Sequence, residues 1–71
     1  MEKIQIKDEF IKMGQLLKLA NLVESGAMAK EVIDEGLVKY NGQVETRRGK
    51  KVYPGDIVEF DGESVTVTND N

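Results

Sequence analysis

The sequence predicts an α+β fold, two short helices packed on a small, mainly antiparallel sheet. Apolar residues recur at helical spacing over 10–20, and a second such stretch over 25–35 stops at Gly36. Beyond Gly36 the apolar period falls to two. The 71 residues leave room for one core, and no repeat or linker interrupts them, so a single domain over 1–71 is expected.

Each element has its own signal. Ile4 and Ile6 alternate with polar neighbours, which predicts an opening strand. Asp8 is placed to cap the next element, with Glu9 in its first turn. From Phe10 onward, Phe10, Met13, Leu16, Leu17 and Ala20 share one side of a helix. Lys12, Gln15 and Lys18 fall on the other, together with Ile11 and part of Leu19. Leu22 and Val23 fill the turn that follows. Ser25 is a suitable N-cap for the second helix and Gly36 a suitable residue past its end. In that helix Ala29, Val32 and Ile33 face inward, while Lys30, Glu31, Asp34 and Glu35 face water.

Further along, Val38 and Tyr40 point one way, Leu37 and Lys39 the other, and Asn41-Gly42 is a preferred two-residue hairpin turn. Pro54-Gly55 fits the centre of a type II turn. Asp61-Gly62 joins a strand over 57–60 to a returning strand over 65–68. Residues 69–71 are expected to fray.

Composition excludes several function classes. There is no cysteine and no histidine, which removes disulfides, the usual zinc ligands and the commonest general base. Asp34-Glu35 is the obvious carboxylate pair, but it sits at a helix end facing water, and nothing indicates a pocket around it. No phosphate-loop or dinucleotide fingerprint occurs. No catalytic residue, cofactor or metal is therefore expected. The N-terminus lacks the apolar core of a secretion signal, and no apolar run is long enough to cross a bilayer. A cytoplasmic protein without membrane contact is expected.

Charge is segregated along the chain. The net charge is −3, yet residues 12–51 carry eight basic and five acidic side chains, while the flanks carry two basic and eight acidic ones. Local field governs an encounter more than the total does. Arg47, Arg48, Lys50 and Lys51 place four like charges in five positions, and their repulsion is relieved only by something anionic. Four aromatic residues could stack on bases, but Phe10, Tyr40 and Phe60 sit in core register, which leaves Tyr53 beside the basic loop.

A colinear pattern over about 11–60 resembles the RNA-binding domain named after small-subunit ribosomal protein four, the S-four domain. It comprises Lys12 with Leu16 and Leu17, the serine-started stretch from Ser25 to Ile33, Gly36, Val38-Lys39-Tyr40-Asn41-Gly42, and Pro54-Gly55-Asp56. The chain is similar to the short, stand-alone bacterial form of that family. The resemblance implies the helix pair and sheet of the αL motif, with structured RNA lying across the helices and adjoining loops. The residues that the resemblance implies as contacts are Lys12, Gln15, Ser25, Lys30 and Lys39; the outer face of the first helix adds Lys18, the exposed helix start adds Gly26, and the charge pattern adds Arg47, Arg48, Lys50 and Lys51. Two positions depart from the family pattern: Gly26 stands where arginine is common, and Gly14 where aspartate is common. A bare backbone at Gly26 can still bind phosphate through its N–H groups.

The expected function is non-enzymatic binding of structured RNA by a monomer. The partner would be ribosomal RNA or a ribosome-assembly intermediate, hence ribosomal particles. An alternative is a protein-interaction module docking through exposed Ile11, Leu19 and Leu37. A transfer-RNA or stalled-ribosome factor, or the detached accessory domain of an RNA-modifying enzyme, keeps RNA as the ligand. Small carrier proteins of similar build end in Gly-Gly, which this chain does not.

Overall fold

The computed structural model describes residues 1–69. Strands β1 (Glu2–Ile6) and β2 (Ile11–Lys12) lead into helices α1 (Met13–Leu19) and α2 (Gly26–Asp34). Five strands follow: β3 (Val38–Tyr40), β4 (Gln43–Val44), β5 (Lys51–Val52), β6 (Ile57–Phe60) and β7 (Glu63–Asn69). The main sheet has the order β1-β7-β6-β3-β4, antiparallel throughout except where β1 lies parallel to β7. β2 and β5 form a separate two-stranded antiparallel ladder.

The core lies between the helix pair and one face of the sheet. Met13, Leu16, Leu17 and Ala20 from the first helical stretch meet Ala29, Val32 and Ile33 of α2, all buried. Val38, Val58, Val65 and Val67 supply the sheet side, and Val52 enters from the small ladder. Fourteen buried hydrophobic residues and no buried polar residue make up this core among the described residues. It is held by burial of apolar area, not by a polar network.

Both helices end in the same way. The Gly36 N–H donates to the Ile33 carbonyl at 3.0 Å and the Leu37 N–H to the Val32 carbonyl at 3.1 Å, with Gly36 at φ 77°. That is a Schellman closure, and glycine adopts its left-handed residue without a Cβ penalty. α1 repeats the pattern with Asn21 at φ 60°: Asn21 donates to Lys18 and Leu22 to Leu17, each at 3.0 Å. Ser25 caps α2 as expected, its Oγ accepting from the Met28 N–H at 3.1 Å. The turns at Asn41-Gly42, Pro54-Gly55 and Asp61-Gly62 all form.

The structure corrects the start of the first helix. It begins at Met13 and not at Phe10, and its N-cap is Lys12 in extended conformation, so Asp8 caps nothing there. Ile11 and Lys12 pair instead with Val52 and Lys51, and the Met13 N–H donates to the Lys50 carbonyl at 2.9 Å. A tertiary partner outcompetes local helix preference at this point. Ile11 is consequently half-buried against the core, and Phe10 leaves core register to pack at a tilt against Tyr53, 5.8 Å between ring centres and 51° between ring planes. Asn69 also differs from expectation, being held in β7 opposite Ile6 by the parallel pairing. The expected fraying of residues 70 and 71 lies outside the described residues.

Candidate nucleic-acid interface

The small ladder delivers the basic loop onto the start of α1. A helix start leaves its first N–H groups without partners. Here the Met13 N–H finds the Lys50 carbonyl and the Gly14 N–H finds the Arg48 carbonyl at 3.1 Å. Docking the loop this way lays the Arg48 side chain across Gly14. A Cβ at Gly14 would stand 2.8 Å from Arg48 Cγ and 3.4 Å from its Cδ, so any side chain there would displace the arginine. The same ladder sets Lys12 directly opposite Lys51. Like charges facing each other across a strand pair destabilise it.

Beside Arg48 lies a groove of about 220 Å³ lined by Gly14, Gln15, Lys18, Gly26, Ala29 and Arg48. α1 contributes Gln15 and Lys18 one turn apart, and α2 contributes its first residue, Gly26. A Cβ at Gly26 would have only Lys18 Nζ nearby, at 3.8 Å, so glycine leaves the groove open there. The first N–H groups of α2, at Gly26 and Ala27, have no acceptor within the helix and carry the positive end of its dipole.

The remaining basic residues are placed differently. Arg47 forks onto Glu45, its Nε and an Nη donating to the two carboxylate oxygens at 2.9 and 3.1 Å, while its own N–H donates at 3.0 Å. That fork, offset by partial burial, holds the Glu45 carboxyl down at about 2. Lys30 pairs with Asp34 at 2.8 Å along α2. Lys39 points from the sheet face away from the core, with Glu59 and Val44 as its cross-strand neighbours. Lys50 Nζ sits 4.7 Å from the centre of the Tyr40 ring, and Lys51 Nζ 4.9 Å from that of Phe10.

Gln15, Lys18, Gly26 and Arg48 thus converge on one groove, with Ser25 at its helix start and Lys12 and Lys51 on the adjoining ladder. Lys30, Lys39 and Arg47 are not part of that convergence. Among the described residues, Lys12, Lys18, Arg48 and Lys51 have no carboxylate within ion-pair distance. Phe10, expected in core register, instead contacts both Tyr53 and Lys51. A two-residue ladder has no periodicity to betray it. Of the aliphatics suited to protein docking, Ile11 is turned inward, while Leu19 and Leu37 remain exposed on separate elements.

Asp56 organises the turn beyond β5. Its carboxylate accepts from the Tyr40 hydroxyl at 2.6 Å, the Tyr53 N–H at 2.9 Å and the Asn41 side-chain amide at 3.2 Å. Burial pushes its pKa up, but these donors outweigh that and hold it below the ordinary value. The same hydrogen bond, with burial, pushes the Tyr40 hydroxyl up to about 12. Among the described residues no acidic cluster is spaced to hold a metal ion, and no helix is long and apolar enough to cross a membrane.

Comparison with known proteins gives one consistent result. A probable ribosome maturation protein, RlbA of Bacillus subtilis (strain 168), is 48% identical over 59 residues, covering 83% of each chain. The Escherichia coli (strain K12) protein named "Putative RNA-binding protein YbcJ" is 48% identical over 61 residues, covering 86% of this chain and 87% of its own. The solution structure of E. coli YbcJ, described as revealing an αL motif involved in RNA binding, superposes with a TM-score of 0.74 at 43% identity. It covers 96% of this chain and 87% of YbcJ. The family model of the S4 domain matches residues 4–68, and the chain belongs to that family.

Proposed function

We propose that this protein binds structured RNA, specifically ribosomal RNA or a ribosome-assembly intermediate, without catalysing a reaction on it. The observation that carries the reading is that Lys18 and Arg48 line the α1–α2 groove while Lys12 and Lys51 face each other on the adjoining ladder, none of them neutralised by a carboxylate among the described residues. Fixed cations on a helix face and a docked loop grip backbone phosphates in a set geometry and so read RNA shape. The relatives support the class of ligand, since one is described as a ribosome maturation protein and another as RNA-binding. A ribosomal ligand also implies a cytoplasmic site of action.

The test is the salt dependence of binding. Each phosphate contact contributes about −0.7 to −0.9 to the slope of log affinity against log salt, so four such contacts give a slope of about −3. Affinity for ribosomal RNA that stays constant with salt overturns the mechanism. Capture from lysate with and without ribonuclease then tests the ribosomal partner, because ribosome-sized complexes should disappear on digestion.

A further inference from the structure

We propose that the groove between α1 and α2 receives a single unpaired nucleobase extruded from the bound RNA. This rests on the RNA-binding reading and adds what that reading leaves open, the part of the RNA that enters the groove.

Size and lining both favour a base over a phosphate. A cavity of about 150 Å³ accommodates a benzene ring, and the groove measures about 220 Å³, which suits the larger ring of a nucleobase. Gly14, Gly26 and Ala29 bring no polar side chain to its lining. An aromatic face gains by covering such a surface. The polar side chains of the lining are Gln15, Lys18 and Arg48. Gln15 carries two donors and an acceptor on one carboxamide, the complement of a base edge. Arg48 offers a guanidinium plane on which a base can stack. Lys18 stands beside the opening N–H groups of α2, where the phosphate of the same nucleotide would rest.

The two glycines have separate parts in this. Gly14 leaves the room that the Arg48 side chain takes up, and Gly26 leaves open space beside Lys18. Continuous duplex RNA has no free base to offer, so bulged or looped RNA should bind in preference.

The experiment compares the full chain on three synthetic RNA hairpins: one with a single unpaired adenosine in its stem, one fully paired, and one with an abasic residue at the unpaired position. The unpaired adenosine should improve affinity about tenfold over the abasic form, the scale of one stacked base. Gly26→Leu places a side chain in the open space beside Lys18 and should bring that ratio near one. The site has open space and no positive φ, so the variant should fold, which circular dichroism checks. Equal binding of all three hairpins by the native chain overturns the base pocket while sparing the RNA-binding reading. So does a Gly26→Leu variant that keeps the full preference. Absence of measurable binding to any of the three, at low salt, overturns both.

Discussion

The Gly14 N–H donates to the Arg48 carbonyl at 3.1 Å, and the same glycine leaves the space that the Arg48 side chain fills. One residue therefore serves both as the helix-start donor that docks the basic loop and as the floor under its arginine. Gly14→Ala separates the two roles. Alanine favours the helix by about 1 kcal/mol, while its Cβ drives Arg48 out of place, so net stability should change by no more than about 1 kcal/mol. RNA affinity should fall about threefold to tenfold, and the salt slope should become shallower by about one. Titrations at several salt concentrations check this; an unchanged slope would mean Arg48 makes no phosphate contact.

Stability should respond to alkali through Tyr40. Its hydroxyl titrates at about 12 in the folded chain, because of the Asp56 hydrogen bond and burial, against about 10 when unfolded. The folded state then binds more protons across that interval, so this contribution is complete below pH 10 and is lost as pH rises toward 12. At the acid end, Asp56 is held below its ordinary value and Glu45 at about 2. Their contributions are complete above the unfolded carboxylate range near pH 4 and fade as pH falls through the folded values. Chemical denaturation across pH should show both limbs. Tyr40→Phe should flatten the alkaline limb; a curve unchanged by that substitution would remove Tyr40 as its source.

What could be read from the chain divides along a physical line. Caps and turns depend on residues a few positions apart, so Ser25, Gly36, Asn41-Gly42 and Pro54-Gly55 announced themselves correctly. The β2–β5 ladder joins residues about forty apart over only two pairs, too few for any periodicity. That omission misplaced the helix start and turned Phe10 the wrong way. The candidate contacts were legible as residue types but not as neighbours. Nothing local distinguishes Arg48, which lies over Gly14, from Arg47, which is tied to Glu45. Lys39 has helical lysines as counterparts in sequence, yet strand alternation turns it to the other face of the sheet.

Lys12 and Lys51 face each other across the ladder, so stability and binding should move in opposite directions when one charge is reversed. Lys12→Glu replaces a repulsive pair with an attractive one and should stabilise the free protein by about 0.5 kcal/mol. The same change should weaken RNA binding about tenfold, since an anion then stands at the proposed interface. Thermal melts and binding titrations on one preparation measure the two effects. Weakened binding together with lowered stability would point to unfolding and would remove Lys12 from the interface.

Arg47 and Arg48 are adjacent and equal in formal charge, but only Arg47 is already engaged by a carboxylate. A phosphate approaching Arg47 must compete with the two-pronged Glu45 contact, whereas Arg48 along the groove wall has no such rival among the described residues. Arg48→Ala should therefore cost about tenfold in RNA affinity and Arg47→Ala about threefold or less, the scale of one charge-assisted contact in each setting. Glu45→Gln should free Arg47 and raise affinity in the otherwise native chain, an effect that should vanish when Arg47→Ala is added. Binding titrations of the four variants complete the cycle. Equal losses at the two arginines would show that the Glu45 pairing opens on contact with RNA.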